Sequence, residues 1–547
     1  MEKKYVLAVD QSTQGTKAIL FDVNGDLVCR TDLPHRQLIN EKGWVSHDLS
    51  EIYSNTIQVV KNLVEKAGIQ KEEIACLGIS NQRETSAAWS RSTGEPLAPA
   101  IVWQCSRASE ICERIKTNVM IDPDREQKKN GGVAEIIRQK TGMHLSPYFP
   151  AAKFAWLQEN VEEVKQAKRD NDLCLGTIDT WLLFKLTKGE VYATDYSNAS
   201  RTQLFNIHNL KWDKEICTWF GINADMLPEV CDSSMQYGTT DFEGYFQTPI
   251  PICGVIGDSQ GALFGQGCIE KGMVKATYGT GSSVMMNAGT EPIMSDLGLV
   301  TSLAWGLNGK VTYVLEGNIN YTGAVITWLK DDMGLITSPG ETQEMSEQAN
   351  KNDTTYLVPA FSGLGAPYWK SDAKAIIYGM SRTTGKKEIV KAALESIAYQ
   401  ITDIVEMMKA EDGMTVKELC VDGGPTRNQY LMKFQSDILG TKVSLPRCEE
   451  SSALGAGLMA GLSCGLYKME SIFEVKNRNQ FIPSNESAGK KPEIHRMEKR
   501  SRKSSCISIK ISQYKKCVAD RGVSSNKTGA SGSGNCLTPC VCQIIIK

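Results

Sequence analysis

Five short segments of the chain carry residue types suited to chemistry between a phosphate and a hydroxyl. The first is Asp10-Gln11-Ser12-Thr13-Gln14-Gly15-Thr16-Lys17, directly after the apolar run Tyr5 to Val9. A carboxylate at a strand end, then hydroxyls and a glycine in a tight turn, suits a phosphate beside a hydrated divalent cation. Tyr278-Gly279-Thr280-Gly281-Ser282 is a turn small enough for backbone amides to approach phosphate oxygens. Asp422-Gly423-Gly424-Pro425-Thr426-Arg427-Asn428 puts two glycines before a helix, where a flat nucleotide base can lie against the backbone. Gly257-Asp258-Ser259-Gln260 sets a carboxylate just past an apolar run, where it can take the proton of an attacking hydroxyl. Asn81-Gln82-Arg83-Glu84-Thr85, with Trp103-Gln104 further on, offers a donor and an acceptor for adjacent hydroxyls of a polyol and an indole to cover its carbons. Taken singly, each also fits an ordinary hairpin, helix cap or ion pair. The chain has no G-x-x-x-x-G-K-[ST] loop, and no G-x-G-x-x-G follows its first strand.

These segments need strands and helices to present them. Tyr5 to Val9, Ala18 to Phe21 and Leu27 to Cys29 read as three strands, and Asn24-Gly25 between the last two is a hairpin signal. Helical periodicity runs from about Ser50 to Ala67, and Cys76 to Ile79 reads as a buried strand. The second half repeats the theme. Ile252 to Ile256 delivers Asp258, two strands flank Gly279-Thr280-Gly281, and Leu419 to Val421 runs into Asp422 ahead of a helix from about Asn428 to Leu439. The alternation predicts an α/β fold, duplicated, with a cleft between halves that divide near residue 250.

The remaining composition excludes several classes. A formal net charge of -2 over 547 residues gives no reason to expect nucleic acid or an anionic membrane as partner. No stretch approaches the roughly 18 consecutive apolar residues of a membrane helix, and the N-terminus does not read as a signal peptide, so a cytoplasmic setting is expected. Twelve of the 17 cysteines are scattered singly before residue 485, without paired metal-ligand spacing, and read as reduced, mostly buried thiols. Residues 485–547 differ in kind. From Lys490 onward there are 13 Lys/Arg against three Asp/Glu and one aromatic, with a Ser/Gly-rich stretch from Ser524 to Asn535, a composition expected to be disordered.

In their order along residues 4 to about 484, these segments resemble the FGGY carbohydrate kinases. The resemblance extends to Gly43-Trp44-Val45, Ala100 to Cys105, Thr194 to Thr202, Gly363 to Trp369 and Phe434 to Gly440. It also takes in a pattern from Tyr148 through Pro150, Lys153, Trp156 and Leu157, and another from Ala375 through Gly379 to Glu395. It implies two actin-like (ribonuclease H-type) domains with a catalytic cleft between them, residues 1–250 binding the polyol and 251–484 the nucleotide. ATP with Mg2+ would phosphorylate a small polyol, with glycerol the expected acceptor and glycerol 3-phosphate the product. Asp258 would be the general base and Asp10 the metal-side carboxylate. Arg83, Glu84, Trp103, Tyr148 and Ser259 would join Asp258 at the acceptor; Thr13, Gln14, Thr280, Gly323, Gly424 and Asn428 would meet the nucleotide. A homo-oligomer, dimer or tetramer, is implied as well. The chain departs from the glycerol-specific pattern at Ser259, where glutamine is usual, and at Ser283, where an aromatic is usual. A longer polyol or a ketose (erythritol, xylulose, ribulose) is therefore the alternative acceptor. An actin-like ATPase with no small-molecule acceptor is the alternative from another class. The tail invites one more reading: residues 490–500 can be encoded so that the next frame reads Lys-Asn-Arg-Lys-Tyr-Thr-Glu-Trp-Lys-Lys, which resembles the family's last helix, and the gene's codons decide it.

Overall fold

The apolar runs form strands and the periodic segments form helices in the computed structural model of the protein. It describes residues 2–117, 132–365, 368, 373–412, 415–446, 448–473 and 479–484. The expectations for the tail after residue 484 lie outside the described residues. Ten strands carry the argument: β1 (Tyr5–Gln11), β2 (Gly15–Asp22), β3 (Leu27–Pro34), β4 (Ile74–Asn81), β5 (Ile250–Gly257), β6 (Val274–Tyr278), β7 (Ser282–Gly289), β8 (Lys310–Ile319), β9 (Glu418–Asp422) and β10 (Lys442–Ser444). All belong to one 13-stranded sheet.

Within that sheet the same arrangement occurs twice. In the first half β1 pairs antiparallel with β2 and parallel with β4, β2 pairs antiparallel with β3, and β4 pairs parallel with β5. In the second half β6 pairs antiparallel with β7 and parallel with β9, β7 pairs antiparallel with β8, and β9 pairs parallel with β10. Three antiparallel strands followed by two parallel ones thus recur, each set with its own apolar core, one built around Leu7, Val9, Leu77 and Ile252 and the other around Ala276, Val284, Leu315 and Val421.

Local sequence explains the connections. The turn from β2 to β3 closes because Asp22 accepts from the backbone N–H of Asn24 (2.8 Å) and of Asp26 (3.0 Å), with Gly25 at φ 71°. Helix α1 (Leu49–Ala67) starts where Asp48 accepts from the N–H groups of Ser50 and Glu51, and stops at Gly68, which is left-handed at φ 65°. It buries Ile52, Val59, Val60 and Leu63 against the first half. Helix α2 (Pro150–Asn160) follows Tyr148 and begins with proline, whose missing N–H costs nothing there. Helix α3 (Asp258–Gly265) leaves the end of β5, and α4 (Ser451–Ser463) lies across β4 and β5. No described helix is long and apolar enough to cross a membrane.

Candidate active site

Parallel strands bring their C-terminal ends to one edge, and the chemistry-bearing residues collect there, as ligand sites do in open α/β sheets. Asp10 is opposite Ser80, and Asn81 is opposite Gly257. Asp10 near the end of β1, and the Arg83-Glu84 pair and Asp258 just past the ends of β4 and β5, therefore lie on three neighbouring strands.

Arg83 is the hub. It is 4 % exposed, forms an ion pair with Asp258 (Nε to Oδ1 3.1 Å), and donates from Nη1 to Gln260 Oε1 at 3.1 Å and from both terminal nitrogens to Glu316 at 3.0 and 3.2 Å. Arg201 completes the set, donating to Glu84 at 2.8 Å and to Glu316 at 2.6 Å. Burial alone would push the Glu316 carboxyl up, but Arg201 and Arg83 outweigh it and hold it down to about 2. Ser283 donates to Glu316 at 3.1 Å, so the serine in place of an aromatic joins this polar cluster.

Asp258 opens α3 and keeps 36 % of its side chain accessible. Burial raises its pKa above the ordinary carboxylate value, Arg83 opposes that, and Glu84 adds to it. Ser259 donates its backbone N–H to the same carboxylate at 2.6 Å. A carboxylate that is partly open, oriented by an arginine and more basic than usual is suited to taking a proton.

The two aromatics expected at the acceptor are tied to the first turn. The indole N–H of Trp103 donates to Thr13 Oγ1 at 2.9 Å, and its ring lies 5.6 Å from that of Tyr148, tilted by 60°. Lys153, buried on α2, donates to the backbone carbonyls of Tyr148 and Glu84 and so holds two expected acceptor residues together; burial pushes its pKa down to about 7. Asp10 sits beside Lys17 Nζ at 4.0 Å. Burial raises its pKa to about 6, Lys17 opposes this, and the Asp258 charge adds to it. Its Oδ1 is buried without a hydrogen-bond partner, which fits a divalent cation in need of a carboxylate. Among the described residues no group of three or more His, Cys, Asp or Glu could hold a metal ion. A cation beside Asp10 would draw its other ligands from water and a ligand's phosphates, the usual habit of Mg2+.

The nucleotide-side residues converge by strand pairing. Thr277 is opposite Asp422, which sets the Gly279–Gly281 turn beside the Gly423-Gly424 turn. The helix Gly323–Thr327 docks on the first of these: Gly323 donates its N–H to Gly279 O at 2.9 Å, and a Cβ on Gly323 would stand 2.7 Å from that oxygen. Thr280 and Gly424 are exposed, and Gly424 faces open space. Asn428 has a structural duty instead: it caps the helix Gln429–Leu439 by accepting from Leu431 N at 2.9 Å, and its amide donates to Thr342 at 3.0 Å. Gln14 is exposed on the first turn, where its carbonyl accepts from His35 N.

Sequence reasoning missed Glu316 and gave no site role to Arg201 or Gln260, although both lie in segments it named. Glu316 was detectable as a lone charge inside the apolar strand β8, as was Lys275 in β6, whose buried ammonium donates to Thr277 at 2.8 Å. Arg201 lies in the Thr194 to Thr202 segment and carries no local signal of its own.

Repeated halves, a polar acceptor-type cluster and paired glycine turns define a two-domain actin-like enzyme of the phosphotransferase kind. Comparison with known proteins agrees. The FGGY family of carbohydrate kinases, N-terminal domain, matches residues 5–265, and its C-terminal domain matches residues 274–464. The chain belongs to the FGGY family of carbohydrate kinases. It is 47% identical over 481 residues to glycerol kinase 1 of Thermotoga maritima, covering 88% of this chain and 95% of that one. It is 46% identical over 476 residues to a glycerol kinase of Caldanaerobacter subterraneus, covering 87% and 93%. Among solved structures, Plasmodium falciparum glycerol kinase with ADP superposes with a TM-score of 0.81 at 34% identity, covering 96% of this chain and 100% of that one. A xylulose kinase of Lactobacillus acidophilus shares the fold at 20% identity, with a TM-score of 0.78 and coverage of 92% and 99%.

Proposed function

We propose that this protein transfers the terminal phosphoryl group of ATP to a hydroxyl of glycerol, giving glycerol 3-phosphate. The observation that carries the reading is Asp258: a partly open, raised-pKa carboxylate held by Arg83 at 3.1 Å at the end of β5. In this reading Arg83 and Glu84 bind adjacent hydroxyls, while Trp103 and Tyr148 cover the carbons. Asp258 accepts the proton as the hydroxyl oxygen attacks in line. Thr13 and Gln14 on the first turn, with Thr280, Gly323, Gly424 and Asn428 on the second half, hold the nucleotide. Asp10 would hold Mg2+, whose charge offsets that of the phosphate oxygens. The similarity to curated glycerol kinases over 87–88% of the chain supports glycerol as acceptor. A two-domain division near residue 250, a cytoplasmic setting and a homo-oligomer, dimer or tetramer, belong to the same reading.

Ser283 and Ser259 favour a broader acceptor range than a close-fitting pocket would allow. A small side chain in place of a ring removes the overlap that rejects longer ligands, and the Ser283 hydroxyl is turned to Glu316. The test is a coupled assay of kcat/KM for glycerol, erythritol, dihydroxyacetone, xylulose and ribulose, in the wild type and in Ser283→Phe. Glycerol should be accepted, at least one four- or five-carbon compound should be comparable, and the phenylalanine should narrow the range toward glycerol. Strict glycerol preference in the wild type would remove the broad-range reading. Activity on a longer acceptor with none on glycerol would overturn the substrate and leave the kinase.

A further inference from the structure

Three thiols far apart in sequence meet where α4 ends on the sheet, away from the acceptor cluster. Helix α4 rides directly on two glycines: a Cβ on Gly78 would stand 2.2 Å from Ala456 O, and one on Gly254 would stand 2.7 Å from Ala460 N. Ala456, Ala460 and Cys464 are spaced by four, so Cys464, the residue that caps α4, continues the same helix face. Cys76 precedes Gly78 by two in β4 and so points to the same sheet face. Cys253 is the extra residue where the pairing of β4 with β5 shifts between Ile252 opposite Leu77 and Gly254 opposite Gly78. Cys76 and Cys253 are buried in one cluster with Ala456, Met459, Ala460 and Tyr467, whereas Cys464 is exposed. Cys464 Sγ donates to the carbonyl of Gly461 in the last turn of α4 at 3.5 Å.

We propose that Cys464 and Cys76 form a peroxide-oxidisable thiol pair, with the exposed Cys464 attacking and the buried Cys76 resolving. In the first step the Cys464 sulfur attacks hydrogen peroxide. An S–O bond forms, the O–O bond breaks, and hydroxide leaves to become water with the thiol's proton. Cys464 is oxidised by two electrons to the sulfenic acid, and the peroxide is reduced. In the second step Cys76 gives up its proton and attacks that sulfur. The S–S bond forms, the S–O bond breaks, and a second water leaves. Two thiols and one peroxide thus become one disulfide and two waters, and a thiol reductant reverses the change.

The surroundings favour this division of roles. The neighbouring Cys76 thiol, a backbone N–H at Leu466 and the charge of Lys3 lower the Cys464 pKa to about 7 despite partial burial, whereas Cys253, Cys464 and burial push the Cys76 thiol up. A thiolate that is both accessible and low in pKa is the one that reacts first. Cys253 is buried, so peroxide reaches Cys464 ahead of it.

The link also has a route to the chemistry. Helix α4 packs on α3 backbone to backbone, with the Cβ position of Gly455 only 1.9 Å from Gly261 O, and α3 begins with Asp258. Drawing Cys464 to a bond length of about 2.05 Å from Cys76 moves the end of a helix that cannot slide freely over α3. This coupling rests on the proposed role of Asp258.

The test treats the full-length protein with a few equivalents of hydrogen peroxide, maps disulfides by mass spectrometry, and measures turnover before and after dithiothreitol. A Cys76–Cys464 link that is reversed by dithiothreitol is expected, with turnover falling several-fold and returning on reduction. Cys464→Ser, outside the catalytic machinery, should keep basal turnover and lose both the link and the peroxide effect. Cys464 pairing with Cys253 or with a cysteine beyond residue 485, or stopping at the sulfinic acid while Cys76 stays free, overturns the pair. A link that forms without changing turnover overturns the coupling alone. Failure of Asp258→Asn to lower turnover strikes the proposed function and leaves the thiol pair intact.

Discussion

At the scale of single residues, two carboxylates differ in what surrounds them, and their tasks differ accordingly. At Asp258 burial outweighs the one arginine and raises the pKa, and an open side lets the carboxylate exchange a proton with a ligand. Asp258→Asn should keep polyol and nucleotide binding and lower turnover by roughly 10²–10⁴-fold, the usual contribution of a general base. Near-normal turnover in a steady-state assay would refute the mechanism. Glu316 is fully buried between Arg201 and Arg83, and its pKa of about 2 lies below the ordinary 4.5. The folded protein therefore binds fewer protons than the unfolded chain between those values. Its stabilising contribution is complete above about pH 4.5 and is lost as pH falls toward 2. Glu316→Gln removes the carboxylate that two buried guanidinium groups share, leaving Arg83 with Asp258 and Arg201 with Glu84, and should cost about 3 kcal/mol. Urea unfolding at pH 7 measures that loss, and the same titration repeated below pH 4.5 should find the gap between wild type and variant closing. This pair of charges was hidden from sequence reasoning because nothing near Glu316 in the chain names its partners. Arg83 and Asp258 were found because each ends a recognisable strand.

At the scale of elements, the glycine turns separate a glycine that the fold requires from one whose proposed role is toward the nucleotide. Gly423 adopts φ 99°, and a Cβ there would stand 2.1 Å from Tyr278 O, so strand β9 and the end of β6 can approach only without a side chain. Gly424, next in the chain, would place a Cβ in open space. Gly423→Ala should therefore destabilise the second half by about 1–3 kcal/mol. Gly424→Ala should leave the melting temperature unchanged and raise KM for ATP while sparing KM for the polyol. Calorimetry and initial rates on both variants separate the two effects; a Gly424→Ala protein with normal ATP kinetics would remove that turn from the nucleotide site. The strands around these turns were legible from short apolar runs ending in Gly, Asp or Thr. The pairing of β7 with β8 was not legible, since neither strand has a local signal that names its neighbour.

At the scale of the whole molecule, the Arg83–Glu316 and Arg201–Glu316 bonds join the first half of the sheet to the second across the acceptor cluster. A site built from both halves is complete only when they meet, and an acceptor in place lets closure exclude water from the phosphoryl group. ATP turnover without polyol should thus be at least about 10²-fold slower than with glycerol. Equal rates in a phosphate-release assay would favour an actin-like ATPase over a kinase. The sequence alone determined the α/β class, the duplicated halves and the roster of turns, because strand period, helix period and glycine or aspartate turn chemistry act over a few neighbouring residues. Only the tertiary structure decided that Glu316 and Arg201 join the Arg83 cluster, that Trp103 is bound to Thr13, and that Cys76 and Cys253 share one buried cluster under α4. Those pairings depend on strand register and on where a helix settles on a sheet, and both are set by packing among residues hundreds of positions apart.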